Sequence, residues 1–290
     1  MKNRWTKILV LGLFLVSCVG FGLYTIQKLA FNSTSKVDAT NTRSKQSSTI
    51  SSVSSIRSSE EIVAQKATLT DFLRHALEPK DQVLYVWGGG WNEEDTGGNE
   101  DSMTMGLVSS WKDFYEANKY GYVAEDHIYE IHNGLDCSGY VGWVLYNTLP
   151  EKRDYVSLSE TYGEFLSGLG YGTYKTADEV TEILPGDLMM TDQGHIYIAL
   201  GQFEDGSVLL LHSSPPGVRM SGTPGIAYQT ALLYQDNGWD PLVDNGYLYY
   251  DQFRFNEETL ADPDHLREMP VARIVDFIYG DPSALDESNY

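Results

Sequence analysis

The chain opens with a long hydrophobic stretch. Residues 8–26 carry no charge over 19 positions, three basic residues lie before them, and Lys28 follows. A helix of this length just spans the hydrocarbon core of a bilayer. Basic residues at the N-terminal end of such a helix hold that end in the cytoplasm. The pattern predicts that residues 1–31 are a single-pass membrane anchor and that the rest of the chain is extracytoplasmic.

A lipoprotein signal is a second interpretation of the same stretch. Leu15-Val16-Ser17-Cys18 resembles a bacterial lipobox, in which Cys18 is lipidated and becomes the mature N-terminus. The hydrophobic run continues past Cys18 as far as Ile26, which favours the spanning helix. Both alternatives leave the protein tethered to the cell membrane.

Residues 32–59 differ in composition from the segments on either side. They are rich in Ser and Thr and have almost no large apolar side chains, so they cannot bury enough surface to fold. We expect a flexible tether here, followed by one folded domain over residues 60–290.

The hydrophobic spacing within this domain predicts helices first and strands later. Residues 62–77 have a helical face, a second helix follows Cys137, and a short third helix is expected over 176–184. Alternation and β-branched residues predict strands over 195–200, 208–213, 247–255 and 272–278. This order favours an α+β fold, with N-terminal helices packed on a central antiparallel sheet, over a parallel doubly wound sheet.

A long polar segment, residues 92–133, interrupts the pattern. The aromatic residues of 91–133 either wall a substrate groove or form a small satellite core beneath a long loop: Trp91, Trp111, Phe114, Tyr115 and Tyr120. The acidic run 92–101 lacks the ligand spacing and the closing glutamate of an EF-hand, so we expect no metal site here.

The charge is distributed unevenly along the chain. The whole chain has a formal charge of −21, but residues 61–290 carry 12 Lys and Arg against 39 Asp and Glu, a charge of −27. Phosphate contacts need Lys and Arg, so a domain this acidic is a poor nucleic-acid binder. We therefore expect no nucleic-acid partner.

The candidate chemistry centres on Cys137. The chain has two cysteines, and the other, Cys18, lies in the hydrophobic leader, so no disulfide forms within the domain. Asp136 is a suitable helix N-cap, which places Cys137 in the first helical turn. Free N–H groups and the helix dipole favour a thiolate there, although the adjacent Asp136 opposes it. A lone cysteine with histidines elsewhere is a candidate nucleophile, and a small buried hydrophobe is the alternative.

Three motifs occur in a characteristic order. Residues 85–89 read Tyr-Val-Trp-Gly-Gly, residues 136–140 read Asp-Cys-Ser-Gly-Tyr, and residues 184–188 read Leu-Pro-Gly-Asp-Leu and lead to Gly194-His195-Ile196. Over residues 62–220 the chain resembles the NlpC family of papain-like bacterial cell-wall cysteine peptidases. The resemblance implies a papain-like α+β fold.

The resemblance also implies roles for individual residues. Cys137 matches the nucleophile and His195 the general base, and a third polar residue on the next strand, here His212, would orient His195. Two antiparallel strands joined by residues 201–207 can place the two histidines side by side. Tyr85 matches a tyrosine beside the nucleophile, whose hydroxyl would donate to the oxyanion together with the Cys137 N–H.

Three of these positions keep a structural alternative. Tyr85 is otherwise an ordinary core tyrosine, and His212 is otherwise a strand histidine that faces a neighbour. Ser138 either lines the site or is a plain serine of the first helical turn. Asp136 caps the helix in both interpretations. The remaining histidines carry no recognisable motif, and we treat His132 as a bystander although it lies close to Cys137 in sequence.

The resemblance implies a function as well. We expect a monomeric, cofactor-independent cysteine peptidase that hydrolyses amide bonds in the peptide stems of bacterial peptidoglycan through a Cys thioester. An N-acetylmuramoyl-alanine amidase and an acyl or peptidyl transferase are alternatives on the same fold. A non-catalytic wall-binding module is an alternative of a different class.

Overall fold

A computed structural model describes residues 66–235 and 238–279. The helices in these residues are α1 (Leu69–Leu77), α2 (Ser109–Asn118), α3 (Cys137–Thr148), α4 (Tyr162–Gly168), α5 (Ile226–Leu233) and α6 (Val271–Tyr279). The strands are β1 (Gly172–Lys175), β2 (Leu188–Thr191), β3 (His195–Gln202), β4 (Val208–Ser214), β5 (Gly217–Gly222) and β6 (Asp251–Phe255). The expected α+β class is confirmed.

The predicted anchor and tether, residues 1–31 and 32–59, lie outside the described residues. Among the helices that the structure describes, none combines the length and apolar character needed to cross a membrane.

The six strands form one antiparallel sheet in the order β1-β6-β2-β3-β4-β5. Strand β6, the last in sequence, lies between β1 and β2, where Phe253 pairs with both Tyr174 and Leu188. The C-terminal part of the chain therefore contributes to the central sheet. Strands β3 and β4 form the hairpin expected from the sequence, with Ile198 opposite Leu211.

Strand β3 separates two hydrophobic clusters. Ile196 and Ile198 join the main core, to which α3 contributes Val141 among others, whereas Tyr197 and Ala199 join a smaller cluster. Successive side chains of a strand point to opposite faces, so His195 shares the face of Tyr197. Helix α3 is buried along most of its length. It therefore holds its first residue in a fixed place relative to the sheet.

The prediction of a strand over residues 272–278 is wrong, because this segment lies within helix α6. Its buried residues are Val271, Ile274, Val275 and Ile278, a spacing of three, four and seven that matches one face of a helix. The β-branched side chains suggested a strand, but the burial of this helical face against the core determines the conformation.

Two further expectations need correction. Residues 176–184 contain a single 3-10 turn, Ala177–Glu179, in which Thr176 and Glu179 cap each other. The Leu184 N–H donates to Asp187 (2.7 Å), so this segment turns toward β2 instead of continuing as a helix. The strand expected from residue 247 begins at Asp251, after a 3-10 helix over Asn245–Tyr249.

Candidate active site

The start of helix α3 is held by hydrogen bonds to its cap. Asp136 is the N-cap, and its Oδ1 accepts the Gly139 N–H at 2.7 Å. The Asp136 N–H donates to the carbonyl oxygen of Gly89 at 2.9 Å. These bonds satisfy backbone groups that a helix end leaves free, and they fix Cys137 as the first helical residue.

Glycines allow the motif at residues 85–89 to pack directly on the helix start. A β-carbon on Gly139 would lie 2.1 Å from the Gly89 carbonyl oxygen, and one on Gly89 would lie 2.5 Å from the Gly134 oxygen. Both distances are too short for a side chain. The two motifs that surround the thiol are therefore in backbone contact with each other.

The Cys137 thiol lies against the beginning of β3. Its Sγ is 3.6 Å from the carbonyl oxygen of Gly194, and the Ile196 N–H is also directed at the thiol. Gly194 and Ile196 are the two neighbours of His195 in the chain. The thiol thus contacts the backbone on both sides of the predicted base, and only 7% of the Cys137 surface is exposed.

His195 and His212 are hydrogen-bonded to each other across the β3–β4 hairpin. The Nε2 of His195 lies 2.9 Å from Nδ1 of His212, with the two rings tilted by 72°. His212 is fully buried, and its Nε2 lies 2.9 Å from the Ser221 hydroxyl on β5. Because His212 occupies Nε2 of His195, Nδ1 is the ring nitrogen that remains for proton transfer.

Burial favours the neutral forms of Cys137, His195 and His212. It lowers the pKa of His195 to about 4 and holds the pKa of His212 well below its usual range, with His195 and Arg219 acting in the same direction. Burial also raises the pKa of the Cys137 thiol to about 12, and the Asp136 carboxyl adds to this. A neutral thiol and two neutral imidazoles are therefore present near pH 7. The thiolate that the helix N-terminus was expected to favour is outweighed by desolvation.

Asp136 and Ser138 belong to the network at the helix start. Ser138 donates to Asp136 Oδ1 at 3.0 Å and accepts the Trp91 indole N–H at 3.0 Å. Burial raises the pKa of Asp136 to about 6, even though Gly139 and Ser138 donate to its ionised form. The Ser138 hydroxyl and the Asp136 carboxyl thus hold the start of α3 and the segment at Trp91 together.

Tyr85 is buried next to the thiol. Its backbone N–H donates to the Pro216 oxygen at 2.9 Å, and its carbonyl accepts the Tyr122 hydroxyl at 2.5 Å. Burial raises the pKa of Tyr85 well above its usual value, and the nearby Cys137 and Asp136 contribute to this rise. A neutral tyrosine hydroxyl near the thiol can donate a hydrogen bond to an oxyanion.

The C-terminal region supplies aromatic residues that the sequence analysis did not single out. The Tyr247 ring centroid lies 5.9 Å from that of His195 and 5.7 Å from that of His212, and Tyr250 lies 6.3 Å from His195. The Tyr197 hydroxyl donates to the Tyr247 carbonyl at 2.7 Å, which ties this segment to β3. The tyrosines clustered at residues 247–250 are visible in the sequence, but the sequence does not indicate that they pack against the histidines.

Of the aromatic residues of the 91–133 segment, Trp111 belongs to the main core, and a role as a groove wall stays a prediction. Trp111 is fully buried and packs edge-on against Trp143 of α3, whereas Tyr120 is 87% exposed. Trp91 reaches the helix start through Ser138. His132 pairs with Asp101 at 2.7 Å on the surface. Across residues 66–235 and 238–279, no cluster of three or more His, Cys, Asp or Glu is arranged to hold a metal ion.

Comparison with known proteins identified no relative: no family model, curated protein or solved structure matches the chain.

Proposed function

We propose that this protein is a papain-like cysteine peptidase that hydrolyses amide bonds in the peptide stems of bacterial peptidoglycan. The observation that carries the proposal is the position of the Cys137 thiol against the backbone on both sides of His195, 3.6 Å from the Gly194 oxygen. His195 is in turn hydrogen-bonded to His212. A nucleophile, a base and a group that orients the base are the parts that acyl transfer requires.

The proposed reaction begins with a neutral pair. Nδ1 of His195 removes the thiol proton while the sulfur of Cys137 attacks the amide carbonyl, which gives a tetrahedral oxyanion. The C–N bond then breaks, His195 gives its proton to the leaving amine, and a thioester remains on Cys137. A water molecule, deprotonated by His195, hydrolyses the thioester and regenerates the thiol. No cofactor takes part in these steps.

In the proposed mechanism, the thiol proton of Cys137 moves to His195 while the sulfur attacks the amide carbonyl. A thiol with a pKa of about 12 and an imidazole with a pKa of about 4 do not form a stable ion pair in the free enzyme. Bound substrate supplies the electrophile, and the Tyr85 hydroxyl and the Cys137 N–H are the proposed donors to the developing oxyanion. Stabilisation of this charge in a site with little water is usually a large part of catalysis.

The substrate and location form part of the same proposal. The 19-residue uncharged run would place residues 60–290 outside the cytoplasm, where peptidoglycan is the amide-containing polymer within reach of a tethered domain. The acidic charge of the domain disfavours nucleic acid and anionic wall polymers as partners.

Mass spectrometry of purified muropeptides incubated with the protein tests the proposal. A peptidase gives fragments of the stem, an amidase releases the intact stem from the sugar, and a transferase gives exchanged products when an acceptor amine is added. We expect stem fragments with the wild type and none with Cys137→Ala. Release of intact stems alone, or identical digests from both proteins, would contradict the peptidase assignment.

One observation favours a second candidate, a non-catalytic wall-binding module. Cys137 is only 7% exposed and its thiol is neutral near pH 7, as in a structural cysteine. This candidate predicts binding of peptidoglycan fragments that is equal in the wild type and in Cys137→Ala, with no product from either. The muropeptide digestion therefore separates the two candidates.

A further inference from the structure

We propose that Ser221 is a positioning residue that sets the tautomer of His212 and, through it, the tautomer of His195. This inference rests on the proposed function, because it concerns how His195 is kept ready to act as a base. The carrying observation is a chain of two short hydrogen bonds, each 2.9 Å long, from Ser221 Oγ to His212 and from His212 to Nε2 of His195.

All three side chains are fixed by their strands. His212 and Ser221 are both fully buried, on the neighbouring strands β4 and β5, and His195 opens β3. The Leu242 N–H donates to Ser221 Oγ at 3.3 Å and helps to hold the hydroxyl oxygen in place. Because His212 is neutral, each of its nitrogens is either a donor or an acceptor, and never both.

The geometry allows two proton arrangements. If Ser221 accepts the Nε2–H of His212, then Nδ1 of His212 accepts the Nε2–H of His195, and Nδ1 of His195 has a free lone pair. If His212 carries its proton on Nδ1, that proton goes to Nε2 of His195, and Nδ1 of His195 is already protonated. Only the first arrangement allows His195 to take the thiol proton, and it requires an acceptor at the position of Ser221 Oγ.

Removal of the hydroxyl selects the second arrangement. In Ser221→Ala a proton on Nε2 of His212 would face a methyl group, and a buried N–H without a partner is unfavourable because it has lost its hydrogen bonds to water. The proton would therefore move to Nδ1, and the same heavy atoms would hold His195 in the tautomer that cannot act as a base. In an established triad, the wrong histidine tautomer is known to reduce turnover strongly.

The first test is nitrogen NMR of the full-length chain labelled with ¹⁵N-histidine. We expect His212 and His195 to be protonated at Nε2 in the wild type, and His212 to be protonated at Nδ1 in Ser221→Ala. Thr223→Val is the matched control, since it removes a buried hydroxyl that accepts the Val208 N–H at 2.8 Å and contacts neither histidine. The same tautomers in wild type and Ser221→Ala would overturn the inference.

The second test is kinetic and uses the muropeptide substrate. Ser221→Ala should lower kcat about 10- to 100-fold with little change in KM, and Thr223→Val should keep the wild-type kcat. In a His212→Asn background, where the third residue has no tautomers, adding Ser221→Ala should cause no further loss. Equal losses from Ser221→Ala in both backgrounds would contradict the inference. The NMR result does not depend on turnover, so a failure of the proposed function is distinguishable from a failure of this inference.

Discussion

The imidazole of His195 is hydrogen-bonded through Nε2 to Nδ1 of His212, 2.9 Å away on the neighbouring strand. This bond leaves one ring nitrogen of His195 for chemistry and gives its ring a fixed orientation. His212 is fully buried and hydrogen-bonded at both ring nitrogens, whereas His195 is partly exposed at the start of β3. In the proposed mechanism, the same bond orients His195 for proton transfer.

His212 should be important for cleavage but less so than the base. In the proposed mechanism His212 orients His195 and does not itself accept the thiol proton, so His212→Ala should lower kcat about 10- to 100-fold and leave measurable activity. His132→Ala is the control, since His132 is paired with Asp101 on the surface. Loss of activity in His132→Ala together with full activity in His212→Ala would contradict our choice of the third residue.

Gly139 should be intolerant of any side chain. Its β-carbon would lie 2.1 Å from the Gly89 carbonyl oxygen, so Gly139→Ala must separate the helix start from the 85–89 segment. Such overpacking typically costs about 1–3 kcal/mol in the free energy of unfolding. We expect this loss in urea denaturation, together with reduced cleavage, because Cys137 moves with the helix.

Gly168→Ala is the matched control for this prediction. Gly168 is the last residue of α4, and a β-carbon there would meet no atom within 4 Å. Alanine at such a site restricts the unfolded chain and typically adds about 0.4–1 kcal/mol of stability. If Gly139→Ala were as stable as Gly168→Ala, the close contact between the two motifs would not exist in solution.

The reactivity of the thiol should follow its burial. With a pKa of about 12, Cys137 has a very small thiolate fraction at pH 7, so a neutral alkylating agent should react more slowly with it than with free cysteine. The rate should keep rising with pH to about pH 10, well past the value of about 8.5 at which a free thiol titrates. The Cys18→Ser chain is suitable for this measurement, because Cys137 is then its single thiol.

The alternative outcome is informative. Alkylation faster than that of free cysteine near pH 7 would mean that the helix N-terminus outweighs burial, as the sequence analysis expected. The same chain unfolded in urea provides the reference, because its thiol should react at the rate of a free cysteine.

The hydrophobic leader should anchor the protein. Full-length chain should fractionate with membranes, since residues 8–26 are uncharged and flanked by basic residues. A spanning helix tolerates Cys18→Ser, so this variant should remain in the membrane fraction. A fatty-acid label on the wild type that disappears in Cys18→Ser would instead identify a lipoprotein.

The hairpin that carries the histidines was predictable from local pattern. Strands β3 and β4 begin at the predicted residues, 195 and 208, because alternating and β-branched residues coincide there with real burial. Helix α3 followed in the same way from the cap at Asp136 and the apolar spacing after Cys137. Both predictions rest on interactions between residues that are close in sequence.

Contacts between distant residues were not predictable in this way. Tyr247 packs on both histidines, and Ser221 bonds to His212, only because β5 and β6 take their particular places in the sheet. The raised pKa of Cys137 was not predictable for the same reason, since the sequence shows the helix start but not the burial around the thiol. The prediction of a strand over 272–278 is wrong because its β-branched residues lie on the buried face of a helix.

The most direct test of the account is the rate of muropeptide cleavage by Cys137→Ala relative to wild type. Removing the thiol from the first residue of α3 leaves the Asp136 cap intact, so the variant should unfold at nearly the same urea concentration as the wild type. With matched folding, we predict that cleavage falls by at least about 1,000-fold. Cleavage by Cys137→Ala at the wild-type rate would show that Cys137 is not the nucleophile and would contradict the account.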